Sequence, residues 1–192
     1  MDLWQRSGRR GWRQEGKSHG LTSRTAAEGL SKAGSRRKMQ AMTQAEFEAI
    51  AADTSKRIEG NISWSEDEDH SPTVEFRADV SSEAGYPLFV RGSYNPEAQK
   101  LSFGLIHRGV GRIYALDLGS AHHNPSCDTV GDTHKHNWSE LTNTKEAYVP
   151  PDITASVAEP VVVWRQFCAE ARITHVGVLH SPLKRLGGKV VF

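Results

Sequence analysis

The feature that most constrains the fold is a series of segments in which apolar and polar residues alternate. The segments are Ile58–Trp64, Thr73–Val80, Pro87–Tyr94, Leu101–His107 and Arg112–Leu118. Their connections are short and rich in turn-forming residues, whereas a parallel crossover needs about a dozen residues or more. The sequence therefore predicts an antiparallel β-meander of about five to six strands, with Ile173–Leu179 as the closing strand.

Two helices are expected to pack on these strands. Thr43 is a candidate N-cap and Glu46 completes a capping box, which predicts a helix over residues 43–56. Pro160 stands where a second helix would begin, and apolar residues then recur every three or four positions, which predicts a helix over residues 160–172. The predicted fold class is α+β: an antiparallel meander with two packing helices.

Charge divides the chain into two parts. Residues 1–38 hold ten Lys and Arg residues against three acidic ones, a net charge of +7, whereas residues 39–192 hold 14 against 20, a net charge of −6. The basic part lacks apolar periodicity, so we expect a disordered extension over residues 1–41 and a single α+β domain over residues 42–192. Three interpretations of the extension are open: phosphate contacts with nucleic acid, a transit peptide, or sequence upstream of the biological start.

The sequence shows no sign of a membrane span or of export. No apolar run approaches the roughly 18 residues that cross a bilayer, and no charged-then-apolar signal peptide opens the chain. Two cysteines are too few for a disulfide-rich secreted scaffold. We therefore expect a cytoplasmic protein with no membrane partner.

The candidate catalytic residues are concentrated in residues 117–138, which contain four of the nine histidines. If residues 134–136 form a strand, the two histidines share one face and the lysine between them points away. The turn-rich segment before them can bring the earlier histidine pair back beside them. An aspartate that closes the preceding strand can orient one imidazole. The candidate catalytic residues are His122, His123, His134, His136 and Asp117.

Cationic and polar residues near this cluster are candidates for binding an anionic substrate. Arg108 and Arg112 flank the preceding hairpin, and we expect both to reach an anion at the same end of the sheet. Lys135 and Asn124 complete the predicted substrate-binding set. Such groups would stabilise the charge of a phosphorane.

Three interpretations of the cluster are open. In the first, paired histidines act as general base and general acid on a phosphodiester, with no cofactor. In the second, zinc is bound by His122, Cys127, His134 and His136. In the third, the histidines and Asn124 hold an irregular loop through hydrogen bonds to the backbone. We expect metal-free chemistry because Cys127 lies among turn formers and acidic residues, which favours a solvated loop tip over a buried thiolate.

The spacing of these residues resembles a known signature. Asp117-x4-His122-His123-x-Pro125, followed by His134-Lys135-His136, resembles the Asp-x-x-x-His-His-Pro…His-Lys-His motif of TumE-type proteins, the toxins of bacterial toxin–antitoxin pairs. The same stretch is similar to small bacterial proteins of unknown function. The resemblance implies a toxin-like protein that acts on RNA or nucleotides, with an antitoxin as its partner, and it points to the same four histidines.

The leading expectation is thus a small cytoplasmic protein that cleaves or binds RNA phosphodiesters, as a metal-independent ribonuclease. The rival from a different class is a non-enzymatic interaction or regulatory module. The net charge of −6 over residues 39–192 favours that rival, because an acidic surface does not attract nucleic acid.

Overall fold

The computed structural model describes residues 42–182 in full and the backbone of residues 184–186 and 189–191. The predicted disordered extension, residues 1–41, lies outside the described residues. Within them, the elements in chain order are helix α1 (Gln44–Ala52), strands β1 (Arg57–Glu59), β2 (Ser65–Glu66), β3 (Val74–Val80), β4 (Leu88–Asn95), β5 (Lys100–His107), β6 (Gly111–Leu118), β7 (His122–His123), β8 (Thr129–Val130), β9 (Thr133–Asn137) and β10 (Ala147–Tyr148), helix α2 (Pro160–Glu170), and strands β11 (Thr174–Val176), β12 (Lys184–Leu186) and β13 (Lys189–Val191).

Helix α1 begins where its capping signal predicts and ends earlier than expected. Thr43 and Glu46 form both bonds of the capping box. The predicted helix extends to residue 56, but Asp53 is already the C-cap. The reason is that the buried Lys56 folds back, and its Nζ donates to the carbonyl oxygens of Ile50 at 2.5 Å and Asp53 at 2.6 Å. A lysine ammonium on the last carbonyls stabilises a helix end and closes it.

The main sheet confirms the predicted antiparallel meander and extends it. Seven strands pair in the order β10-β9-β6-β5-β4-β3-β2, and every neighbouring pair is antiparallel. The predicted count of about five to six strands was too low. Strands β9 and β10 were missed because the residues of β9 are polar and carry no alternating apolar pattern.

The two ends of the predicted meander were wrong in detail. Residues 58–64 do not form one strand, because Gly60 adopts a φ of 88° and breaks the extended chain after β1. The closing strand shortens to β11, which pairs with β1 in a parallel two-stranded sheet instead of joining the meander. A parallel pair between segments so distant in sequence leaves no local signal in the alternation of residues.

The two faces of the main sheet have different roles. On one face, the helix face, Phe103 packs against Trp164 and Phe167 of α2. The other face, the site face, carries Ser102, which pairs across the strands with Asp117. Because directly paired residues of neighbouring strands point to the same side, the register assigns each side chain to one face. The hydrophobic core thus fills the helix face, and polar groups gather on the site face.

Candidate functional site

Three histidines meet on the site face. Strand β9 pairs with β6 so that His134 is opposite Asp117 and His136 is opposite Ala115, which puts both imidazoles on the side of Asp117. His122 of β7 folds back over them, as predicted. The ring centroids are 5.3 Å apart for His122 and His134, 4.7 Å for His122 and His136, and 5.0 Å for His134 and His136. We call these three residues the histidine trio.

The loop that carries His122 is held by an asparagine. Asn124 is buried; its Nδ2 donates to the carbonyl oxygen of Ala147 at 2.9 Å, and its Oδ1 accepts from the Ala147 amide at 2.8 Å. Both ends of the side-chain amide are therefore bound to the neighbouring strand β10. Asn124 was predicted to bind substrate, and in the structure both polar atoms of its side chain hold the loop in place.

Each ring of the histidine trio donates an N–H to a backbone carbonyl. The pairs are His122 Nε2 with Lys145 at 2.9 Å, His134 Nδ1 with Gly131 at 3.1 Å, and His136 Nδ1 with Glu146 at 3.2 Å. A carbonyl oxygen only accepts, so these ring nitrogens carry the hydrogen. In the neutral imidazoles the other nitrogen is then a lone pair: Nδ1 of His122 and Nε2 of His134 and His136. The backbone fixes one tautomer for each ring.

Asp117 faces two of these lone pairs. Its Oδ2 lies 3.4 Å from His136 Nε2 and 3.9 Å from His134 Nε2. Its Oδ1 accepts from the Ser102 hydroxyl, and Arg112 Nη1 lies 3.6 Å from Oδ2. Burial alone would raise the pKa of Asp117, but its hydrogen-bonding neighbours, which include the Ser102 hydroxyl, and the charge of Arg112 outweigh burial and lower the pKa below its ordinary value. The carboxylate is therefore ionised at neutral pH.

Burial also acts on the imidazoles. The side chains of His134 and His136 are only 4% and 3% exposed. Desolvation lowers the pKa of His134, against the opposing effects of the Gly131 carbonyl and the Asp117 charge. His134 is therefore a neutral base at pH 7.

Two adjoining cavities open onto the histidine trio. The first, of about 290 Å³, is lined by the trio with Asp117, Ser102, Arg112 and Lys100. The second, of about 570 Å³, shares His122 and Arg112 with the first and adds Lys145. Asp117 is the one carboxylate in the lining of the two cavities over the described residues, against three Lys and Arg side chains. The site is thus cationic, although residues 39–192 as a whole are acidic.

Two predicted substrate-binding cations lie elsewhere. Arg108 is directed to β3, where its Nη2 donates to Asp79 at 2.7 Å. It lines a separate cavity of about 580 Å³ with Arg57 and Arg77. Lys135 is fully buried on the helix face, as expected from the alternation in β9. The structure therefore brings neither Lys135 nor Arg108, both predicted substrate ligands, to the histidine trio.

Two further predicted residues are separate from the histidine trio. His123 is exposed, and its Nδ1 lies 3.3 Å from the Thr129 hydroxyl. Cys127 is exposed with a φ of 72°, in the loop tip that its neighbours predict. Among the described residues, the ligand atoms that lie within 4.8 Å of one another belong to His122, His134 and His136, without Cys127. The geometry does not support the predicted four-ligand set.

Sequence reasoning missed residues that line the site, among them Lys100, Ser102 and Lys145. The Ser102 hydroxyl donates to Asp117. Its place in the sequence, a polar residue between apolar ones in Leu101–His107, could have indicated it. Lys145 provides both a carbonyl for His122 and a cavity-lining side chain. No local pattern marks Lys145, because its position depends on a contact between segments 23 residues apart.

Comparisons with known proteins give a family and no function. The model of a family of unknown function, DUF6978, matches residues 42–173, more than half of the chain, and this range includes the histidine trio. No curated protein and no solved structure matches the chain. In the described part of the chain, neither helix has the length and apolar character needed to cross a bilayer.

Proposed function

The chain belongs to this family of unknown function, DUF6978, and we propose that its histidine trio cleaves phosphodiesters of RNA or nucleotides. The observation that carries the proposal is a cationic cavity, lined by three convergent imidazoles, on a part of the chain that is otherwise acidic. Local positive charge in a concave site selects an anionic substrate even when the rest of the surface repels it.

The groups in the cavity match the needs of phosphodiester cleavage. An unprotonated ring nitrogen of the trio takes the proton of the attacking hydroxyl as general base. A protonated imidazole returns a proton to the leaving oxygen as general acid. Arg112, whose side chain is 41% exposed beside Asp117, stabilises the charge of the phosphorane.

The motif resemblance supports the same proposal. It points to the histidines of the trio, and the toxins it concerns act with an antitoxin. We therefore propose a toxin-like cytoplasmic ribonuclease with an antitoxin partner. Metal-free cleavage remains a prediction within this proposal.

The test is cleavage of RNA by the purified full chain. We expect cyclic-phosphate ends, and a loss of about 100-fold or more in rate for His136→Ala, because removal of an acid–base group costs roughly that much. His180→Ala is the matched control, since His180 is exposed and lines neither cavity of the site. The proposal fails if folded wild-type protein cleaves no RNA, or if His136→Ala cleaves as fast as wild type.

A non-enzymatic interaction module is the second candidate, and exposed apolar residues C-terminal to β9 favour it. Leu141 is 94% exposed and Val149 66% exposed, in the segment that follows β9. Exposed apolar groups are typical of protein-binding surfaces when they are clustered. A pull-down with Leu141→Ser/Val149→Ser and with His134→Ala/His136→Ala separates the candidates: the module predicts partner loss in the first variant and an unchanged partner set in the second.

A further inference from the structure

We infer that His122, His134 and His136 together bind one divalent transition-metal ion of the Zn²⁺ class. The inference concerns the same site as the proposed function and does not depend on catalysis. A ring nitrogen bound to zinc cannot serve as general base, so the acid–base role of the trio belongs to the metal-free chain. The inference begins with one ring nitrogen from each histidine of the trio, since these nitrogens lie within 4.8 Å of one another. Zinc–imidazole bonds of about 2.0–2.1 Å need only small side-chain rotations to close such a set.

The hydrogen bonds of the rings match the outer shell of a metal site. A metal-bound histidine usually donates its other N–H to a carbonyl or carboxylate, which fixes the tautomer and directs the lone pair at the ion. All three rings have this arrangement, with carbonyls from three different residues as acceptors. Loop stabilisation alone requires the N–H bonds, but it does not require the three free nitrogens to converge.

The position of Asp117 is a second, independent observation. Its Oδ2 lies 3.4 Å from Nε2 of His136 and 3.9 Å from Nε2 of His134. Arg112 Nη1 lies 3.6 Å from the same oxygen. A carboxylate oxygen this close to ring nitrogens in a half-buried site is stabilised by positive charge beside it, and a metal ion bound to the trio would supply that charge.

The donor set selects the class of ion. Imidazole nitrogens suit Zn²⁺, Cu²⁺, Ni²⁺ and Fe²⁺, whereas Mg²⁺ and Ca²⁺ take oxygen ligands. Three protein ligands leave a further position for water or substrate, which is typical of catalytic sites and not of closed structural ones. The trio lines a cavity of about 290 Å³, which has room for such a ligand. The ligand set differs from the one that the sequence suggested, because Cys127 has no part in it.

The experiment is zinc titration of the metal-free full chain by calorimetry, with elemental analysis of the protein as purified. We expect one zinc per chain, and a loss of affinity greater than 100-fold for His134→Gln and for His136→Gln, since outer-shell changes alone cost about 10–100-fold. His180→Gln is the matched control, because His180 is exposed and lines neither cavity of the site, so this variant should bind zinc as wild type does. Cys127→Ser tests the four-ligand set and should also bind zinc as wild type does.

A second measurement covers the case in which a trio variant fails to fold. Co²⁺ bound to the wild-type chain should give a d–d spectrum without a thiolate charge-transfer band, because no cysteine is a ligand. Absence of saturable zinc binding overturns the inference, as does a thiolate band or equal affinity in the His136→Gln variant. RNA cleavage by a chain that shows no saturable zinc binding overturns the inference alone, whereas one zinc per chain without RNA cleavage, with or without metal, overturns the proposed function alone.

Discussion

Glu170 is a partly buried carboxylate that shares its cationic partner, Lys135, with a second carboxylate. Its Oε2 lies 2.8 Å from Lys135 Nζ, but the same ammonium contacts both oxygens of Asp152 at 2.8 Å. One cation thus faces two carboxylates, with the Tyr148 hydroxyl 3.4 Å from Glu170. Burial raises the pKa of Glu170 to about 7. Below that pH, protonation of Glu170 relieves the excess negative charge.

This raised pKa predicts a pH-dependent stability. Between the ordinary pKa of 4.5 and about 7 the folded chain holds a proton that the unfolded chain has released, so the free energy of unfolding falls as the pH rises. Glu170→Gln removes the titration. Between pH 5 and pH 8 we expect the free energy of unfolding of the wild type to fall by about 1 kcal/mol or more relative to that of Glu170→Gln.

Urea unfolding of both proteins across this pH range measures the effect. Glu48→Gln serves as the control, because Glu48 is exposed on α1. A difference between Glu170→Gln and wild type that stays constant with pH would contradict the prediction.

At the scale of elements, the segment between β6 and β9 depends on its attachment to β10. Asn124→Ala removes both hydrogen bonds to Ala147 and leaves a buried amide and carbonyl without partners. We expect a loss of about 2–4 kcal/mol in the free energy of unfolding, since each such group costs about 1–3 kcal/mol. We also expect zinc affinity to fall about tenfold, because His122 is positioned by the same loop.

Denaturant unfolding and zinc calorimetry on Asn124→Ala check the two effects separately. Thr129→Ala is a suitable comparison, since its hydroxyl contacts only the exposed His123 ring among the hydrogen bonds of this loop. If stability falls while zinc affinity is unchanged, the loop is not what positions His122.

What the sequence predicts about the elements depends on how local each signal is. The capping box of α1 and the alternation in β3 to β6 are patterns within a few residues, and both were confirmed. In β9 the shared face of its two histidines follows from alternation, but the pairing of His134 with Asp117 does not. The direction of Arg108 could not be predicted, because it lies in the turn after β5, where alternation no longer fixes the direction of a side chain. Register and turn geometry are set by tertiary contacts.

At the scale of the whole molecule, the aromatic core that stabilises the fold and the candidate site lie on opposite faces of the main sheet. Phe103 is fully buried on the helix face, with its ring 5.2 Å from Trp164 and 5.6 Å from Phe167. Phe103→Ala should cost about 3–5 kcal/mol, as large-to-small changes in aromatic cores do. We expect the folded fraction to keep its zinc affinity, because no ring of the trio contacts this face.

Thermal unfolding and zinc calorimetry below the transition test this separation. Phe103→Leu, which retains more volume, should lose less stability and rank between wild type and Phe103→Ala. A large fall in zinc affinity in a well-folded Phe103 variant would show that the two faces are coupled.

The alternation in β9 has a consequence for the fidelity of folding. The Lys135 side chain lies among carboxylates on the helix face, whereas the imidazoles of His134 and His136 lie on the site face. A shift of β9 by one residue would exchange these environments: an ammonium would enter the cluster of imidazoles, and two aromatic bases would replace the partner of Asp152 and Glu170. The shifted pairing is therefore unfavourable on both faces of the sheet. Competing alignments of β9 are thereby raised in energy, and the landscape around this strand is funnelled toward a single pairing.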